Sequence, residues 1–65
     1  MEYSLIRSEL FEFIYNNKHI SLEKKRKILN YLLIGVYKKQ IIEYMSLNIS
    51  VEELKDKFWN NIVDV

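Results

Sequence analysis

The chain contains no proline, and Gly35 is the one glycine among its 65 residues. Those two residue types are the main punctuators of local structure, so a chain nearly without them has few tight turns available. Apolar residues recur at helical spacing, and no segment alternates with period two. The fold class that follows is all-α: a small antiparallel bundle of three helices, or four, forming one domain over 1–65. Cysteine is absent, which excludes disulfides and thiolate metal sites. The longest near-apolar block, Ile28 to Tyr37, is ten residues long, against the roughly 18 that a bilayer span needs. Met1-Glu2-Tyr3-Ser4 lacks the basic start of a signal peptide, so the expected location is the cytoplasm.

Three helical patterns can be placed. The first spans 5–16 behind Ser4 as N-cap, with Ile6, Leu10, Phe13 and Ile14 as its apolar stripe and Phe11 and Tyr15 beside it. The second starts at Ser21, whose side chain suits an N-cap, and runs over 22–47 with no break stronger than Gly35. Its first part turns Leu22, Leu29, Leu32, Leu33 and Val36 one way. Its second part turns Tyr37, Ile41, Tyr44 and Met45 roughly 100° further round. A long central helix kinked near Gly35 meets that pattern, and so do two helices. The third pattern, 51–63, opens on the capping box Ser50-Val51-Glu52-Glu53, with Ile49 and Leu54 at the positions of a hydrophobic staple. Its stripe is Val51, Leu54, Phe58 and Ile62, widened by Trp59 and Val63. The starts His19-Ile20-Ser21-Leu22-Glu23 and Asn48-Ile49-Ser50-Val51-Glu52 share one form, which a common N-cap solution explains.

The inventory argues against catalysis. There is no cysteine nucleophile and no glycine-rich phosphate loop, and the single histidine, His19, sits in a polar turn beside Lys18. Glu9/Glu12 and Glu52/Glu53 are carboxylate pairs on solvent-facing or capping positions, where the burial that catalytic carboxylates need is not expected. No catalytic residue, metal or cofactor is expected. Ala, Thr, Pro and Cys are missing, while Ile, Lys, Asn, Tyr and Phe supply 31 of the 65 residues. Their codons are AT-rich, which suggests a low-GC bacterium or its phage.

Binding is the remaining class. Ile28, Leu32, Leu33, Ile34, Val36 and Tyr37 surround their helix on nearly all sides, more than two short neighbours can cover. The surplus is expected to form an interface with another protein or with a second copy in a homodimer. Interfaces favour aromatic anchors, which selects Tyr31, Tyr37, Tyr44, Phe58 and Trp59. The expected function is a small regulatory or inhibitor protein that occupies a partner's surface, a transcription factor or host protein for instance. The alternative is nucleic-acid binding. The near-neutral total charge hides a basic stretch, 18–39, between acidic ends. On a straight helix Lys24, Lys27 and Lys38 share a side with Tyr31 between them, a stripe suited to phosphates. The bland reading is that these cations offset Glu9, Glu12, Glu52, Glu53 and Asp56. Leu47-Asn48-Ile49-Ser50 also imitates the turn of a helix-turn-helix. Tyr44 stands where that motif takes a small residue, and Glu52, Glu53 and Asp56 on its second helix repel phosphate.

The stretch Ile42-Glu43-Tyr44-Met45-Ser46-Leu47-Asn48-Ile49-Ser50-Val51-Glu52-Glu53-Leu54 resembles the helical hairpin of the Sin repressor/anti-repressor family. That hairpin pairs two helices across a turn of the type Asn/Gly-Ile-Ser-x-Glu-Glu-Ile/Val. Glu43, Asn48, Ile49, Ser50, Glu52 and Glu53 fit it, Leu54 is conservative, and Tyr44 and Trp59 depart from it. Over 42–59 the resemblance implies a regulator that binds a transcription factor through paired helices and has no chemistry of its own.

Overall fold

The computed structural model describes residues 2–62. Within them lie four helices: α1 Tyr3–Tyr15, α2 Leu22–Ile34, α3 Lys38–Met45 and α4 Val51–Ile62. The expected all-α class is what forms, with four helices in place of the simpler three. Nine residues make one core, with contributions from every helix: Ile6, Leu10 and Ile14; Ile28 and Leu32; Ile41; Leu54, Phe58 and Ile62. α1 touches each of the other three helices. Val63, expected on the α4 stripe, lies outside the described residues.

The single long helix over 22–47 does not form. Gly35 ends α2 in the left-handed region at φ +86°, where its N–H bonds the Tyr31 carbonyl. The next residue, Val36, also donates to the Tyr31 carbonyl, at 3.0 Å. This is the overlapping bond pattern that closes a helix with a left-handed residue, a conformation cheap only for glycine. The change of apolar direction at Gly35 is therefore met by a chain break, and α3 restarts at Lys38.

Both serine starts are N-caps. Ser21 Oγ accepts from the Lys24 N–H at 3.2 Å, and Ser50 Oγ accepts from the Glu53 N–H at 3.1 Å. Each satisfies one orphan donor of the helix start. Ile49 and Leu54, half-buried and buried, sit as the staple predicts. Between α3 and α4 the chain reverses through Asn48 at φ 56°, a left-handed position that asparagine tolerates better than most residues. Ser4 is not the cap of α1. The helix begins two residues earlier than expected, at Tyr3, behind Glu2, which makes no side-chain cap bond. Ser4 lies inside the first turn, and its carbonyl accepts a bond from the Ser8 hydroxyl at 3.0 Å.

α1 and α2 run antiparallel. Lys25, early in α2, donates its ammonium to the carbonyl of Tyr15, the last residue of α1, at 2.9 Å. Leu33, near the end of α2, shares a groove with Arg7 and Ser8. The Lys25 bond also neutralises the negative end of α1, which carries no basic residue of its own in its last turn.

Replacing Gly35 by alanine tests the break. A Cβ there would meet nothing within 4 Å, so the cost is backbone strain alone. Urea unfolding is expected to show a loss of about 1–2 kcal/mol for Gly35→Ala. An unchanged midpoint would mean that the left-handed turn is not required.

Candidate interaction surfaces

The aromatic residues chosen from the sequence turn out to be mostly interior supports. Phe58 is completely buried in the core and is not available to a partner in this fold. Tyr37, half-buried, stands edge-on to Phe58 with ring centroids 5.1 Å apart, and Tyr31 stands edge-on to Tyr37 at 6.0 Å. Such perpendicular pairs bring a positive ring edge to a negative ring face. Trp59 is packed the same way on Phe13, at 6.4 Å. Tyr44 accepts a hydrogen bond from the Asn61 side-chain amide, which ties α3 to α4. Tyr31 is half-buried with the Lys27 ammonium 5.9 Å from its ring centroid.

The basic residues are also distributed differently from the straight-helix reading. The break at Gly35 removes the register that put Lys38 on the side of Lys24 and Lys27. Lys38 instead lies over the Tyr3 ring at 5.5 Å, with Arg7 on the same ring at 5.7 Å. Lys25 caps α1, a role that sequence reading missed because it needs α1 and α2 to be side by side. Among the described residues, Glu9 of α1 and Glu52 of α4 meet Lys55, which reaches them at 3.4 Å and 3.5 Å. Lys55 also borders a polar cleft of about 610 Å³, together with Glu9, Glu12, Phe13 and His19. His19 is exposed, and its backbone N–H bonds the Asn17 side chain at 2.8 Å. No group of three metal-ligating side chains occurs among the described residues, and no described helix is long and apolar enough to cross a membrane.

Leu5, Ile34 and Val36 are exposed apolar side chains, and two further apolar surfaces among the described residues are open. The first is at the α3–α4 turn. Ile6, Met45, Ile49, Val51 and Leu54 line a pocket of about 260 Å³, with Asn48 at its edge. Leu47 and Ile42 on the same hairpin are 55% and 46% exposed. Glu52 and Glu53 follow Val51 at exposed positions of the first turn of α4. The second surface is the outer seam of α1 and α2. Tyr15, Leu22 and Leu33 are 63%, 70% and 59% exposed. Leu22, Leu29 and Leu33 recur at i, i+7 and i+11 on one side of α2. Leu33 and Phe11 share a groove of about 350 Å³ with Arg7, Ser8 and Glu12. The leucine side of α2 was legible in the sequence. Its outward direction was not, because the core accepts Ile28 and Leu32 from that helix and has no room for Leu33.

Comparison with protein-family models, curated proteins and solved structures yields no match.

Among the described residues Tyr37 carries the one clear electrostatic signature. Its hydroxyl is buried without a hydrogen-bond partner among the described residues. Burial pushes its pKa above the ordinary 10.0, and Tyr31 beside it adds to the shift. The folded chain therefore favours the neutral phenol. Its contribution is complete below the unfolded value of 10.0 and is lost as pH rises through the higher folded value. Tyr37→Phe removes the orphan hydroxyl and keeps both ring contacts. At neutral pH its stability is expected to equal the wild type or exceed it by about 1 kcal/mol, and its loss of stability above pH 10 should be smaller. Urea unfolding at neutral and alkaline pH checks both, and a clear destabilisation at neutral pH would show that the hydroxyl has a partner.

Proposed function

We propose that this is a small, non-enzymatic regulatory or inhibitor protein of the cytoplasm, encoded by a low-GC bacterium or its phage, that binds another protein through its α3–α4 hairpin. The observation that carries the reading is the apolar pocket at the hairpin turn with Leu47 exposed on the same hairpin. A preformed apolar pocket accepts a side chain with little reorganisation, and Met45 in its wall adapts to the shape of what enters. Glu52 and Glu53 near its rim favour a partner segment with an aliphatic anchor flanked by lysine or arginine. The segment also carries the Sin-type residues Asn48, Ile49, Ser50, Glu52 and Glu53, with Asn48 in the turn and Ser50 as cap. That resemblance implies a transcription factor as the partner class. The inventory supports the absence of chemistry: no cysteine, and a lone histidine in an exposed loop.

The nucleic-acid alternative rests on Lys24, Lys27 and Lys38, and it has less support now that Gly35 breaks the helix that would have aligned them.

Capture experiments separate the two readings. Immobilised wild type is expected to retain a protein from a nuclease-treated low-GC bacterial lysate in high salt. Leu47→Glu should lose it, with an unchanged circular-dichroism spectrum, because Leu47 is exposed and its replacement leaves the core intact. Lys27→Glu should retain it. Loss on Lys27→Glu with retention on Leu47→Glu, together with steep weakening by salt, would instead establish phosphate contact.

A further inference from the structure

The charges of α3 run against its own dipole. Lys38 and Lys39 stand in its first turn and Glu43 in its last, where the opposite signs would be stabilising. Lys38 is turned onto the Tyr3 ring. Lys39 and Glu43 are exposed and make no ion pair among the described residues. Lysine before glutamate is also the weaker order for an i,i+4 pair within one helix.

These two residues belong to a longer stripe. The Lys38 N–H bonds the Gly35 carbonyl at 3.2 Å, and Tyr37 has φ −96° and ψ 4°, the third position of a type I turn, so the helical sense begins at Val36. At the other end Ser46 keeps the right-handed conformation and the Leu47 N–H bonds the Tyr44 carbonyl at 3.1 Å, which carries that sense on to Leu47. Val36, Lys39, Glu43 and Leu47 are then spaced i, i+3, i+7 and i+11 along one side. All four are exposed, Val36 by 56% and Leu47 by 55%. The opposite side, with Ile41, Tyr44 and Met45, packs into the core.

We propose that this outer side of α3 is the interface of a two-fold homodimer, with α3 packed antiparallel on α3 of a second copy about a point between Ile41 and Ile42. Val36 and Leu47 are equally far from that point, about 8 Å along the axis, so each apolar end meets the opposite apolar end of the other copy. Lys39 and Glu43 lie on either side of the point at distances that differ by about 1.5 Å, so Lys39 of each copy faces Glu43 of the other. An antiparallel two-fold brings like flank to like flank. The pairs survive that condition because Lys39 and Glu43 are about 40° apart round the axis, and Val36 and Leu47 about 20° apart. Ile42, 46% exposed, lies on one flank, and the two copies of it close that edge together. Each α3 also receives the charges its dipole lacks: Glu43 of the second copy beside its positive end, and Lys39 beside its negative end. The order apolar, positive, negative, apolar thus complements itself under a two-fold rotation, which is the requirement of an isologous interface. The interface goes beyond the partner-binding reading. Met45 lines the hairpin pocket from the other side of α3, and Leu47 is common to both surfaces.

The test is the molar mass by sedimentation equilibrium over a wide concentration range. Wild type is expected to pass from monomer to dimer. Lys39→Glu and Glu43→Lys each oppose like charges twice, so each should raise the midpoint concentration about tenfold, equivalent to about 1.4 kcal/mol. The double variant K39E/E43K restores both pairs with their signs exchanged and should regain the dimer. An equimolar mixture of K39E and E43K should form mixed dimers in preference to either variant alone. That readout is insensitive to strain within one helix, because each chain's own i,i+4 repulsion is the same before and after mixing. Val36→Glu should be monomeric with unchanged helix content, since Val36 is outside the core, while Leu33→Glu on the α1–α2 seam should leave the dimer intact. A wild type that is monomeric at every concentration overturns the proposal. So does a dimer that ignores Val36→Glu or is lost with Leu33→Glu, or a mixture without preference for mixed dimers. Lys39 and Glu43 line no part of the hairpin pocket, so partner capture succeeds or fails separately from these charge variants.

Discussion

The ridge Ile6, Leu10 and Ile14 on α1 is the contact through which the other helices are joined. Leu10 and Ile14 are fully buried, and α1 meets α2, α3 and α4 in turn. In a chain this short a single core must supply nearly all the stability. That role places α1 so that one side is wholly inside. Its opposite side carries Ser8 and Tyr15, which are exposed, and Phe11, which is half-buried beside Leu33 of α2. The core and the open seam are therefore two consequences of one placement.

α2 shows what happens when apolar supply exceeds the capacity of the core. Ile28 and Leu32 enter it, while Leu22, Leu33 and Ile34 remain exposed. The surplus expected from the sequence is present, and it is aliphatic where aromatic anchors were expected. The buried core takes eight aliphatics and Phe58, while most of the other aromatics stand half-buried around it and Tyr15 is exposed. Phe58, Tyr37 and Trp59 pack edge-on inside or at the border of the fold. Other aliphatics are left on the outside. Composition alone does not reveal this sorting, because it depends on which faces the helices turn to one another.

Charge follows the same division. Two cations of the expected phosphate-binding stripe are engaged locally, Lys27 on Tyr31 and Lys38 on Tyr3, and Lys25 beside them holds the last carbonyl of α1. Lys55 bridges Glu9 of α1 and Glu52 of its own helix while lying 5.9 Å from the Phe13 ring centroid. The Lys25–Tyr15, Lys38–Tyr3 and Lys55–Glu9 contacts join residues distant in sequence, so no spacing rule anticipates them, whereas Lys27–Tyr31 and Lys55–Glu52 are neighbours one helical turn apart.

The sequence by itself determined the helix starts at Ser21 and Ser50, the all-α class, and the core stripes of α1 and α4. Each of these depends on residues within a turn or two of one another, so local hydrogen bonding and 3.6-residue periodicity suffice. The sequence also marked Gly35 as the place where the apolar direction changes. Only the tertiary structure decided that the chain breaks there, because the choice between a kink and a turn depends on where α1 can receive Ile41 as well as Leu32. It likewise decided that Leu33 faces outward while Phe58 faces inward. Both residues lie on apolar stripes of their own helices, and which stripe is buried is set by the partner across from it.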